Sequence, residues 1–146
     1  MAAMEVLFPG SSGVTRRYRS DVIELAPSIS TGIGPMIVTG YPVEHQSGAP
    51  AYALRVEWAG RTVTYSGDTE WCDGLVAAAH GADLFVCEAY TFERSIRYHL
   101  DHATLTQHLD RIRARRLILT HLGPEMLARR HEAVAECADD GLVVDV

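Results

Sequence analysis

RTVTYSGDTEWCDGL, residues 61–75, is the stretch on which the fold turns. Arg61–Tyr65 has the alternation and β-branched content of a strand, and the run breaks at Ser66-Gly67. Asp68 follows at once, and Thr69-Glu70 open what reads as a helix. A carboxylate on a glycine turn, at the open end of a strand, has two uses. It caps the next helix, or it holds a metal ion.

Working outward, AYALRVEW (51–58) joins this strand through Ala59-Gly60, a hairpin signal. GPMIVTGYPVEH (34–45) reads as a strand ending in His45, and SDVIEL (20–25) as another. Downstream, TEWCDGLVAAAHG (69–81) spaces Trp71, Leu75, Val76 and Ala79 as a helix does, with Gly81 as its stop. DLFVCEAY (83–90) is a continuous apolar run that suits a strand buried on both faces. DHATLTQHLDRIRA (101–114) predicts an amphipathic helix with Leu105, Leu109 and Ile112 on one face. RRLILTH (115–121) is a second buried strand, ending in His121. PEMLARRHEAVAECADD (124–140) predicts a helix with Pro124 in its first turn, and GLVVDV (141–146) a closing strand. A β-rich first part followed by strand–helix alternation predicts one α/β layered domain over residues 1–146. In such sheets chemistry collects just past the strand C-termini.

The composition narrows the partners. Net charge is −6 over 146 residues, and all thirteen basic residues are arginine. An acidic, lysine-free chain is poorly suited to general binding of nucleic acid or a membrane surface, since phosphate contacts call for a basic patch. Arg111, Arg113, Arg115 and Arg116 are expected to mark a helix end, where cations complement the dipole. Cys72, Cys87 and Cys137 are odd in number and form no CxxC pair, which argues against a disulfide framework and fits a reducing compartment. Cys87 reads as a core residue. MAAMEVLFPG (1–10) has neither a charged start nor a long apolar segment, so no signal peptide or membrane span is read and the cytoplasm is the expected location. PGSSG (9–13) is a loop without the lysine or the strand–helix frame of a phosphate cradle.

Four residues stand at strand ends: His45, Asp68, Glu88 and His121. Two histidines and an aspartate at successive strand ends suit a first-row metal. The strand before His121 is too apolar to leave that imidazole unpartnered cheaply. Glu88 has two readings, a hydrogen-bonding support for a ligand or a solvated strand end.

Taken together, YSGDTEWCDGLVAAAHGADLFVCEAY, YHLDHATLTQHLDRIRARRLILTHLGPEML and PVEHQSGAPAYALRVE resemble the C-terminal half of a metallo-β-lactamase-fold hydrolase of the ribonuclease Z-like branch. GDT after a strand, THL after a strand and a histidine before the hairpin come in the family's order. The resemblance implies half of an αββα sandwich, a mixed sheet with flanking helices, and a site for two metal ions, usually zinc, with manganese as the alternative. It implies that Asp68 bridges the metals, that His45 and His121 are ligands, and that His99 is the catalytic helper beside the leaving group. A hydroxide held by the two metals would then attack a phosphodiester or related ester, with His99 protonating the departing oxygen.

The family's HxHxDH motif, which supplies most of the first metal site, does not occur in these 146 residues. RYHLDH (97–102) is the nearest match, with Arg97 in place of a histidine. It is read as part of the C-terminal half, His102 being a solvated residue at a helix start. His80, His108 and His131 fall on helices or their ends and are not expected as ligands. The chain is therefore expected to be half of an enzyme, N-terminally truncated or one partner of a split protein. A small phosphodiester or ester is the expected substrate rather than RNA. A second copy of the chain or a complementary N-terminal half is the expected partner, covering an apolar sheet face that would otherwise lie open. A different class of function stays open: a non-catalytic remnant that folds and associates without turnover.

Overall fold

The computed structural model describes residues 21–146 and, before them, Val6, Pro9, Gly10 and Tyr18. The described residues form a seven-stranded sheet whose spatial order is the sequence order. The strands are β1 (Ser30–Ile33), β2 (Met36–Pro42), β3 (Tyr52–Trp58), β4 (Arg61–Tyr65), β5 (Leu84–Glu88), β6 (Arg116–Thr120) and β7 (Glu136–Cys137). Three short helices connect them: α1 (Asp73–Ala79), α2 (His102–Gln107) and α3 (Pro124–Arg129).

Strands β1 to β4 form an antiparallel meander, and β4 to β7 are parallel neighbours. Two antiparallel pairings in succession restore direction, so β2 runs the same way as β4, β5 and β6. Their C-terminal ends therefore share one edge of the sheet.

Register separates the two faces. Thr39, Arg55, Thr64, Phe85 and Leu117 are successive partners across five strands. Their face carries the helices. Arg55 Nη1 donates to the carbonyls of Ala78 (3.2 Å) and His80 (2.8 Å), and Thr64 Oγ1 donates to Ala78 O at 3.0 Å, which satisfies free carbonyls at the end of α1. Leu75, Phe85, Cys87, Leu105, Leu119 and Met126 form the buried core on this side. Gly74 lets α1 sit against the end of β2: a Cβ there would lie 2.0 Å from Pro42 O. The opposite row, Val38, Val56, Val63 and Leu84, is apolar. Met36, Trp58 and Tyr65 on the same face are exposed, Trp58 by 59%. A cleft of about 470 Å³ lies there between Trp58, Val63 and the terminal Val144 and Val146.

The hairpin at Ala59-Gly60, the helix stop at Gly81 and strands β3 to β6 lie where the sequence places them. Several other expectations are corrected. Asp21–Leu25 is irregular, and Ser20, the first residue of the expected SDVIEL strand, lies outside the described residues, as do residues 11–13 of the PGSSG loop. Strand β2 stops at Pro42, three residues before His45; Val43 N–H still reaches Ala51 O at 3.1 Å, and the chain then leaves the sheet as a loop that carries His45. Helix α1 begins at Asp73, not Thr69, since Thr69 N–H is drawn to Glu88. Helix α2 ends at Gln107 and gives way to a 3-10 turn at Leu109–Arg111; of the basic cluster, Arg111 lies in that turn. Helix α3 ends at Arg129, and Glu136–Cys137, expected within that helix, instead pairs with Ile118–Leu119 at the sheet edge. Residues 141–146 form no strand. His102, read as solvated, is 5% exposed, and Glu88 is fully buried. Among the described residues no helix is long and apolar enough to cross a membrane.

Candidate metal centre

The shared sheet edge gathers the strand-end residues. Asp68 follows β4 across Gly67, which sits at φ +63°, and Glu88 is the last residue of β5. His121 directly follows β6, in the left-handed region at φ +54°. That conformation costs a non-glycine residue about 1 kcal/mol or more and is characteristic of functional sites. His45 arrives on the loop after β2. His99 comes from the long β5–α2 loop, pinned by Tyr90 N–H to Leu100 O (2.8 Å) and His102 N–H to Thr91 O (2.8 Å).

His121 Nδ1 lies 3.0 Å from Asp68 Oδ1 and 3.3 Å from Glu88 Oε2. His99 Nδ1 lies 3.1 Å from the same Glu88 oxygen. The other oxygen of Glu88 accepts from Thr69 N–H. Burial pushes the Glu88 carboxyl up from its ordinary value, against the opposing pull of the Thr69 N–H and of His99. The ring centroids of His45 and His99 are 5.5 Å apart, and those of His99 and His121 are 5.2 Å apart. Tyr90 packs beside both His99 (4.9 Å) and His121 (5.1 Å).

Two triads have ligand-competent atoms within 4.8 Å of one another: His45, Asp68 and His99, and Glu88, His99 and His121. Imidazoles and carboxylates converging in this way are the donor set of zinc and similar cations, so the residues fit such an ion. The structure brings His45, Asp68, His99 and His121 to one place. His99 stands in both triads, at the centre of the cluster rather than at its margin. The alternative use of Asp68 is excluded: the N-cap of α1 is Cys72, with no side-chain cap. Glu88 is the residue that sequence reasoning undervalued. Its signal was position alone, a carboxylate closing an otherwise apolar strand.

A mixed sheet backed by helices on one face, with histidines and carboxylates gathered at one end, is the half-sandwich of a metallo-β-lactamase fold. The chain belongs to this group: the family described as "Beta-lactamase superfamily domain" matches residues 5–122. Ribonuclease Z of Myxococcus xanthus is 32% identical over 146 aligned residues, which cover 85% of this chain and 47% of that protein. A Caenorhabditis elegans protein named as a zinc phosphodiesterase ELAC protein 2 homolog is 34% identical over 108 residues, 64% of this chain and 13% of that one. The metallo-beta-lactamase fold protein YhfI of Bacillus subtilis superposes with a TM-score of 0.73 at 20% identity, over 97% of this chain and 62% of that one, which is a likeness of fold. The chain thus spans less than half the length of the curated relatives it matches, from 47% of the Myxococcus protein to 33% of a Mycobacterium leprae protein and 13% of the worm protein.

Proposed function

We propose that these residues supply one side of the metal centre of a hydrolase that cleaves phosphodiester or related ester bonds. The convergence of His45, Asp68, Glu88, His99 and His121 at one sheet end carries the reading. His45 and His121 would hold the metal through imidazole nitrogens, and Asp68 would bridge two ions. Zinc fits this donor set, with manganese as the alternative; it is also the ion in the name of the worm relative. Bound cations supply a water nucleophile at neutral pH and charge to steady the departing oxygen. His99 hands its proton to that oxygen. Glu88 orients the ring by accepting from Nδ1, which leaves Nε2 to face the substrate.

The substrate we infer is a small diester rather than RNA, because the chain carries net charge −6 and no lysine. Cytoplasmic location is supported by three free cysteines. A second copy or an HxHxDH-bearing half is the partner we infer, supported by the exposed Trp58 and Tyr65 on the face opposite α1, α2 and α3. A second reading, folding and association without turnover, draws on the same exposed apolar face.

The test is hydrolysis of bis(p-nitrophenyl) phosphate with added zinc or manganese. The 146 residues alone should turn over weakly or not at all, since His45, Asp68 and His121 provide too few ligands for two ions. Adding a half that bears HxHxDH should restore activity in the wild type but not in Asp68→Ala or His121→Ala. Strong turnover by the unaided chain would refute the ligand count. Failure of every supplied half, with no zinc bound, would favour the second reading.

A further inference from the structure

The turn Asp68-Thr69-Glu70 touches three parts of the site with three consecutive residues. Asp68 meets His121, and Thr69 N–H meets Glu88. Glu70 Oε1 accepts from the backbone N–H of Tyr98 at 2.7 Å. Tyr98 sits at φ +70°, a conformation that an aromatic residue rarely takes and that its surroundings must enforce. Its carbonyl, turned by that conformation, lies 3.0 Å from His45 Nδ1. Glu70 is itself fixed: its N–H donates to Glu44 O at 3.0 Å, and Glu44 N–H donates to Thr69 Oγ1 at 3.0 Å.

A carbonyl oxygen only accepts, so His45 Nδ1 is the protonated nitrogen of the neutral ring. The lone pair is then on Nε2, the one atom of His45 left to join Asp68 and His99. We propose that Glu70 is a positioning residue for His45: its carboxylate holds Tyr98 in the left-handed conformation, and the Tyr98 carbonyl fixes the His45 tautomer and ring direction. One turn therefore places Asp68 directly and His45 through Tyr98. The consequence for metal affinity rests on the proposed metal centre, whereas the tautomer does not. A partner on the outer nitrogen of a ligating histidine generally raises metal affinity about 10–100-fold.

The test uses the metal-free 146-residue chain labelled with 15N-histidine. Long-range 1H–15N correlation spectra report which ring nitrogen of His45 bears the proton. Wild type should show the Nδ1–H tautomer. Glu70→Ala should give a mixture of tautomers. Glu70→Gln, whose amide oxygen still accepts an N–H, should restore the wild-type pattern. In competition with a chromophoric chelator, Glu70→Ala should weaken zinc binding about tenfold or more, and Glu70→Gln much less. An Nε2–H tautomer in the wild type would overturn the proposal without any variant. So would a Glu70→Gln protein as perturbed as Glu70→Ala. The expected tautomers together with no zinc binding would support the role of Glu70 and remove the metal reading.

Discussion

His102 lies outside the metal centre, and its burial makes a sharp prediction about stability. Its Nε2 accepts from Val134 N–H at 3.0 Å, and its ring stacks on Phe92 at 4.4 Å between centroids. Burial holds its pKa below the ordinary value of 6.5; Arg129 adds to this, while Asp101 and Glu132 oppose it. The folded state therefore takes up the proton less readily than the unfolded chain. Stability should be full above about pH 6.5 and should fall as pH drops below it, with a slope of at most about 1.4 kcal/mol per pH unit from this group. Protonation also turns Nε2 from acceptor to donor and expels Val134 N–H. His102→Phe keeps a flat ring on Phe92 but leaves that N–H without its partner, which costs about 1–3 kcal/mol. Near this chain length each kcal/mol lowers Tm by about 2–4 °C. Thermal unfolding followed by circular dichroism in EDTA, between about pH 7 and about pH 5, measures both effects. The variant should start lower and lose less on acidification. Parallel slopes for wild type and variant would refute the assignment of His102 as the acid-sensitive group.

Three further outcomes follow from other parts of the fold. Asp101 caps α2 by accepting from Thr104 N–H (2.7 Å) and Thr104 Oγ1 (2.9 Å), so Asp101→Ala should cost about 1 kcal/mol, measured by urea unfolding. A Cβ on Gly123 would lie 2.5 Å from Tyr90 O, so Gly123→Ala should destabilise by about 1–3 kcal/mol and shift the NMR signals of His99 and His121, both of which pack on Tyr90. The apolar face around Trp58 and Tyr65 should bind a hydrophobic dye or associate in light scattering, and Trp58→Lys should weaken both; a monomer that binds no dye would contradict the exposed face.

How much was legible in the sequence depended on where each segment finds its hydrogen bonds. Arg61–Tyr65, Leu84–Glu88 and Arg116–Thr120 announce themselves because sheet ladders and apolar runs agree there. The segment after Arg129 does not, because tertiary partners capture its donors. His102 takes Val134 N–H, and Leu119 O takes Ala138 N–H, so the helical period of PEMLARRHEAVAECADD is overruled. Ser30–Ile33 was missed because its strand character comes from pairing with Met36–Thr39 around Gly34, not from its own composition. At the site, residues with distinctive chemistry were legible: Asp68, His121, His45 and His99. Glu70 and Tyr98 were not, since a backbone N–H and a carbonyl reveal nothing of themselves in a string of letters.

The sheet is laid down in sequence order, each strand beside the last, and this governs when the cluster comes into existence. The hairpins of β1 to β4 close over short separations, whereas β5 and β6 must each wait for a connecting segment to return. The meander brings His45 and Asp68 to one edge, but each is fixed only when β5 and its following loop supply Glu88 to Thr69 N–H and the Tyr98 carbonyl to His45. The cluster is complete only when Arg116–Thr120 docks on Leu84–Glu88 and carries His121 to Asp68. A refolding chain thus has no complete cluster until β6 docks, and the arrival of His121 beside Asp68 is a clock for the closing of the sheet.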